Sequence, residues 1–200
     1  MKITEVKTAF KIADVSWGAD STKLKFNYLK DLKDENGNPL PQSILKENVC
    51  RVYLIVVDDE IMKIGCSEDK GGIKGTLYIY QTGGIKGRPS TRSVGIWHFL
   101  LQTIQQNKKI EFYMIHQPNV TAKVKGLLGE KEINNAILSA KTLEDQCLQD
   151  YRSHENGNYP KWNVQEQAGD WPDEIKQIHA KIMAESAARR TASGRKKVSM

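Results

Sequence analysis

Residues Arg51 to Ser67 read RVYLIVVDDEIMKIGCS: a run of apolar residues, an acidic pair, and a second short run ending in Lys63-Ile64-Gly65. An unbroken series of β-branched, aromatic and aliphatic side chains is the pattern of a strand covered on both faces. Asp58-Asp59 supplies a turn, so the stretch predicts a buried β-hairpin. Tyr53 then lies inside the protein rather than on its surface. Residues directly opposite one another share a face of the sheet. A three-residue loop pairs Val57 with Ile61, Ile55 with Lys63 and Tyr53 with Gly65, which sets the Lys63 amine diagonally beside the Tyr53 phenol. A two-residue loop moves the register by one and sends Lys63 to the opposite face. The proximity of the two groups therefore hangs on the turn.

Working outward, the alternating run from Thr22 to Tyr28 predicts an edge strand, and Asp34-Glu-Asn-Gly-Asn-Pro-Leu-Pro41 a long loop. Lys23, Lys25, Lys30 and Lys33 read as a solvated face. After the hairpin, Gly71-Gly-Ile-Lys-Gly75 recurs as Gly83-Gly-Ile-Lys-Gly87 around Thr76-Leu-Tyr-Ile-Tyr-Gln-Thr82, which reads as a strand between two basic loops. Glycine permits close backbone approach, so these loops could bring amides, Lys74 and Lys86 to a sugar-phosphate backbone; ordinary glycine turns are the equal alternative. Ser90 is an N-cap candidate for a helix running to about Gln106, with Val94, Trp97, Leu101 and Ile104 on its inner face. Arg88 and Arg92 flank its start. Ile110 to His116 predicts a third strand, broken at Pro118-Asn119. A helix capped by Thr142 places Glu144 on one face with Cys147, Leu148 and Tyr151. A carboxylate at that margin is costly unless it is paired or binds a cation. Glu130 and Glu132 are rival carboxylates on a more polar stretch. Pro172 to about Ala188 reads as an amphipathic helix carrying Ile175, Ile178 and Ile182, followed by a basic tail, Arg189 to Lys197, expected to be disordered.

Composition sets outer bounds. The 200 residues suffice for one good core, with 30 Lys and Arg against 24 Asp and Glu. The resulting formal charge of +6 and pI of about 9.1 favour a polyanionic partner. Three cysteines, Cys50, Cys66 and Cys147, lack zinc-like spacing and are odd in number, which argues against a disulfide framework and for a reducing cytoplasm. No apolar run approaches the length of a signal core or a membrane span, so no membrane partner is expected. The histidines form no short-spaced ligand cluster.

Val52-Tyr53 on one strand and Lys63-Ile64-Gly65 on the next resemble the two half-motifs of the GIY-YIG nuclease superfamily, in the branches where lysine replaces the second tyrosine. Further on, Thr142-Leu143-Glu144 and Tyr159-Pro160-Lys161-Trp162-Asn163 are similar to the family's metal-binding glutamate helix and closing Pro-x-Trp-Asn segment. The likeness spans roughly residues 51–164. It implies an α+β fold with a small three-stranded, mainly antiparallel sheet flanked by helices, an N-terminal extension over 1–50 and a C-terminal helix and basic tail over 165–200. By the same resemblance, Tyr53 takes a proton from the attacking water, assisted by Lys63, whose nearby ammonium would favour phenolate. Arg92, with Arg88 second, stabilises charge on the phosphate; Glu144 holds one Mg²⁺ or Mn²⁺; Asn163 orders the site. Lys74, Lys86, Arg88 and Arg92 are the expected DNA contacts. The implied activity is cleavage of double-stranded DNA in the manner of a type II restriction enzyme. A phage or mobile-element nuclease and a noncatalytic DNA-binding protein are the alternatives, and both monomer and homodimer stay open.

Overall fold

The computed structural model describes residues 1–18, 23–47, 49–84, 87–135 and 139–198. At its centre the apolar run forms β3 (Cys50–Val57), every residue of which is buried, paired antiparallel with β4 (Glu60–Ser67). The turn between them holds two residues, Asp58 and Asp59, both at positive φ (46° and 68°), the geometry that matches the twist of paired strands. Val57 accordingly pairs with Glu60, not Ile61. The register then shifts between Ile55 and Val56, because Met62 is an extra residue on β4. That bulge restores Ile55 opposite Lys63 and Tyr53 opposite Gly65. Lys63 therefore keeps to the face of Tyr53 despite the shorter turn.

The sheet has five strands, in the order β2-β1-β5-β3-β4, all neighbours antiparallel, where three were expected. The added strands are β1 (Phe10–Trp17) and β2 (Leu24–Tyr28), the latter at the edge as its alternation predicts. β1 joins because Phe10, Ile12 and Ala13 are buried against the same core as Phe112 and Met114 of β5 (Ile110–Gln117). Long-range pairing of this kind leaves no local trace in sequence.

One face of the sheet, with Tyr53, Ile55 and Phe112, packs beneath α1 (Ile73–Thr82), α2 (Thr91–Gln105) and α4 (Asp173–Val198). The other, with Val52, Leu54 and Ile64, packs beneath α3 (Ala140–His154) and the N-terminal Ile3. A strand with a core on each side must be apolar on both, which is what the unbroken run provides. The segment 76–82 read as a strand is the body of α1. Ile73, Leu77 and Tyr80, its buried residues, recur at helical spacing, and packing of that stripe overrides the β-preference of Tyr-Ile-Tyr. Ser90 does cap α2, its side chain accepting a hydrogen bond from the Ser93 amide. Gly95 sits inside that helix because the Trp171 ring lies where its Cβ would be, 2.4 Å away. α3 starts earlier than expected: Ser139, not Thr142, caps it by accepting from the Thr142 amide. Helix α4 continues through most of the stretch expected to be a disordered tail. A second sheet, β6 (Val120–Gly126) with β7 (Gly129–Asn135), forms a separate hairpin. No helix among the described residues is long and apolar enough to cross a membrane.

Candidate active site

The site forms along the free edge of β4 and beneath α1. Outward-facing backbone groups of that edge from Ile61 to the Cys66 amide are met from elsewhere in the chain. The Ile61 amide donates to the Met1 carbonyl (3.1 Å), and the Met62 carbonyl accepts from the Trp162 amide (2.8 Å). Asn163, fully buried, accepts from the Ile64 amide with its Oδ1 (2.9 Å) and donates to the Ile64 carbonyl with its Nδ2 (2.8 Å). One side chain thus imitates a paired strand. The Cys66 amide, one step along, donates to Glu144 Oε1 at 3.2 Å. Asn163 and Glu144 are brought to successive positions on β4 from 99 and 78 residues away.

Inside the edge, Tyr53 lies over Gly65. A Cβ at residue 65 would come within 2.4 Å of the phenolic oxygen, so the glycine of Lys-Ile-Gly makes the space the ring occupies. Tyr53 Oη shares a hydrogen bond of 2.7 Å with Tyr80 Oη of α1. Reading α1 as a strand hid Tyr80; its spacing of seven from Ile73 and three from Leu77 is the signal that would have found it. Burial, reinforced by Tyr80, holds the Tyr53 phenol well above its ordinary pKa. Burial likewise pushes Lys63 below its ordinary value, and among the described residues the amine makes no salt bridge. The expectation that an ammonium beside Tyr53 would favour phenolate is thereby corrected: desolvation dominates, and both groups are driven toward their uncharged forms. Arg92, exposed at the start of α2, is the cation whose field acts on Tyr53, Lys63 and Tyr80 together. Arg88 is exposed on the loop before that helix.

Glu144 is 4 % exposed. Besides Cys66 N–H, its carboxylate accepts from Lys141 Nζ at 2.8 Å and from the Cys66 thiol at 3.4 Å. Burial, then the adjacent carboxylate, pushes that thiol up to about 12, which leaves it a neutral donor. No group of three or more His, Cys, Asp or Glu side chains among the described residues could enclose a metal. A single buried carboxylate still fits a divalent cation whose remaining ligands are water and substrate phosphate, since Mg²⁺ keeps several waters and takes one or two carboxylates. Lys141, whose side chain is 58 % exposed, would have to turn aside. Glu130 and Glu132 are exposed on β7, in the separate hairpin.

Among the expected DNA contacts, Lys74 places its Nζ 4.6 Å from the centre of the Tyr28 ring, a cation–π contact on the outer side of α1. Lys86 lies outside the described residues. Arg51, which begins β3, is buried and spends its guanidinium on the carbonyls of Glu47, Val49 and Asp69 at 2.6, 2.9 and 2.7 Å, pinning the loop that leads into α1.

No protein-family model matches the chain, and no curated protein does. Among solved structures, a mutant of bacteriophage T4 EndoII aligns with a TM-score of 0.49 at 16 % identity, over 82 % of this chain and 99 % of the phage protein. A restriction endonuclease in complex with product DNA aligns with a TM-score of 0.46 at 20 % identity, over 80 % of this chain and 84 % of its own.

Proposed function

We propose that this chain is a DNA endonuclease that hydrolyses phosphodiester bonds in the manner of the GIY-YIG nucleases, cutting double-stranded DNA at specific sites with Mg²⁺ or Mn²⁺. The observation that carries the reading is the convergence of Tyr53, Lys63, Glu144 and Asn163, singled out by motif, on one edge of the sheet, each buried and three of them hydrogen-bonded to partners far away in sequence. Polar groups are rarely buried without reason, and a lysine without a salt bridge least of all.

In this mechanism Lys63 is the sink for the proton of the attacking water. Burial favours its neutral amine, and a neutral amine is a stronger base than a phenol that burial keeps protonated. Tyr53 Oη accepts the water proton and passes its own to Lys63. Tyr80 Oη, which shares a hydrogen bond with Tyr53 Oη, steadies the charge that develops there. Arg92, permanently charged and free to swing, closes on the phosphate as it gains charge. Glu144 would hold a divalent cation, which when bound would supply neutralisation of charge at the leaving oxygen. Asn163 touches none of the reacting atoms; it fixes the β4 backbone between Lys63 and Gly65.

Incubation of purified protein with plasmid DNA and Mg²⁺ tests the proposal. Discrete fragments are expected. Retardation of the plasmid without cutting, under Mg²⁺ and Mn²⁺ alike, would reduce the protein to a DNA binder.

A further inference from the structure

The proposed reaction leaves two features unused, the β6–β7 hairpin and an apolar cavity on the α3 side of the sheet. In the hairpin, Ala122 pairs with Ile133 and Val124 with Lys131, while Lys123 pairs with Glu132 and Lys125 with Glu130. Val120, Ala122, Val124 and Ile133 therefore share one face, and the other carries opposed charges that balance. All of β6 is exposed, and at the tip Leu127 is 100 % and Leu128 90 % exposed. A two-stranded hairpin standing alone is marginally stable in water. With Val120, Val124 and Ile133 also partly open, the apolar surface offered is on the order of 500 Å² per copy, at the upper end for the largest patch of a monomer.

The cavity has a volume of about 250 Å³ and is lined by Val6, Leu54, Ile61, Ile64, Ile115 and Cys147. For scale, an apolar cavity of about 150 Å³ holds a benzene ring. Glu5 and Asp150 are matched at its rim by Lys7 and the Met1 ammonium, so the rim, like the hairpin's polar face, is close to neutral. Knob and hole thus match in polarity and in size, and the tip of the same chain stands in solvent rather than in the hole.

We propose that a second copy of this chain is the occupant: each copy's Leu127-Leu128 tip seats in the cavity of the other, by reciprocal exchange about a two-fold axis. Closure of that kind joins a patch on one surface to a pocket on another without leading to a fibre. Two tips and two faces bury more than about 1,000 Å² in total, the threshold for a specific interface. The near-neutral polar face argues against DNA phosphate as the partner of the arm.

Light scattering on the protein without DNA, at tens of micromolar, is expected to give twice the chain mass of 22.6 kDa. Leu127→Asp combined with Leu128→Asp is expected to give the single-chain mass with an unchanged circular dichroism spectrum. Cys147 lines the cavity, so a Leu128→Cys variant oxidised with diamide should form a disulfide to Cys147 of the partner subunit, seen as a dimer on a non-reducing gel. Adding Cys147→Ser should remove that band, while adding Cys50→Ser or Cys66→Ser should leave it. A wild-type protein that stays monomeric, a band that survives Cys147→Ser, or a disulfide formed within one chain would each overturn the proposal. A monomeric wild type whose tip variant loses only DNA retention would assign the arm to DNA instead. Neither readout involves cleavage, so a dimer that fails to cut DNA would count against the nuclease reading alone.

Discussion

The chain builds two antiparallel hairpins on two-residue turns, β3–β4 over Asp58-Asp59 and β6–β7 over Leu127-Leu128, and they have opposite surroundings. β3 is buried along its whole length, with a core on each side; β6 is exposed along its whole length. The β6 pattern, Val-Thr-Ala-Lys-Val-Lys, alternates and so offers one apolar face, whereas Val52 to Val57 offers two. Each hairpin also holds residues on the side where their chemistry does not belong. Among the described residues, Lys63 is inside without a salt bridge, and Leu127 and Leu128 are outside without cover. Buried polar groups and exposed apolar ones are the informative departures from the usual partition, and here they lie at the proposed site in one hairpin and at the proposed docking surface in the other.

The sharpest way to break this contrast is to remove function from the buried hairpin without unfolding it. Glu144→Gln keeps the shape of the side chain and an acceptor for the Cys66 amide but removes the charge that would hold a cation. Cleavage should fall below detection in a plasmid assay while gel retardation persists or tightens, because repulsion with phosphate is relieved. A variant that melts early yet still cuts would make Glu144 a structural partner of Lys141 only.

Tyr53→Phe should lower the cleavage rate by about 10²–10⁴-fold, the usual cost of losing a proton-transfer group. It should also cost about 1–3 kcal/mol of stability, because Tyr80 Oη is left buried without its partner. Near-normal cutting by the Phe variant would make the hydroxyl structural. Arg92→Ala should slow cleavage about 10²–10³-fold with little change in affinity, whereas Arg88→Ala should weaken affinity with the rate retained. Wild-type rates from both would remove the start of α2 from the site.

Lys63→Met tests the electrostatics directly. The folded-state pKa of Lys63 lies below its unfolded value of 10.5, so between those two values the unfolded chain binds more protons and stability climbs with pH. Replacing the amine should therefore raise the melting temperature at pH 7 while abolishing cleavage. The gain should shrink as pH approaches 10.5. A gain that does not depend on pH would mean that burial of charge is not what Lys63 costs the fold.

The smallest expected effect compares like with like. Val52→Thr buries a hydroxyl in the second core and should cost about 1–3 kcal/mol. Val124→Thr on β6, measured below the concentration of self-association, should stay within about 0.5 kcal/mol. Equal costs at the two positions would erase the distinction between the hairpins.

Much of the framework of the candidate site was legible from residue order. Val52 to Val57 required a strand with two covered faces because no polar residue interrupts it, and Lys63-Ile64-Gly65 followed at hairpin spacing. Ser90 announced its helix because a cap is a local hydrogen bond. Other features were not local. The Met62 bulge, which keeps Lys63 on the face of Tyr53, compensates for a turn one residue shorter than the register needs, and only the fit of the paired strands reveals it. Tyr80 was missed because Tyr-Ile-Tyr prefers a strand until the Ile73-Leu77-Tyr80 stripe has a core to pack on. The sheet gained β1 and β2 because pairing between β1 and β5 spans some hundred residues and rests on shared burial rather than on any motif. Residue order by itself determined which side chains can be apolar inside and where the chain must turn, since those follow from side-chain chemistry and local geometry. Tertiary structure decided which polar groups lie together: Tyr53 and Lys63 take their electrostatic character from loss of water and from neighbours far along the chain, and neither is present until the chain has folded.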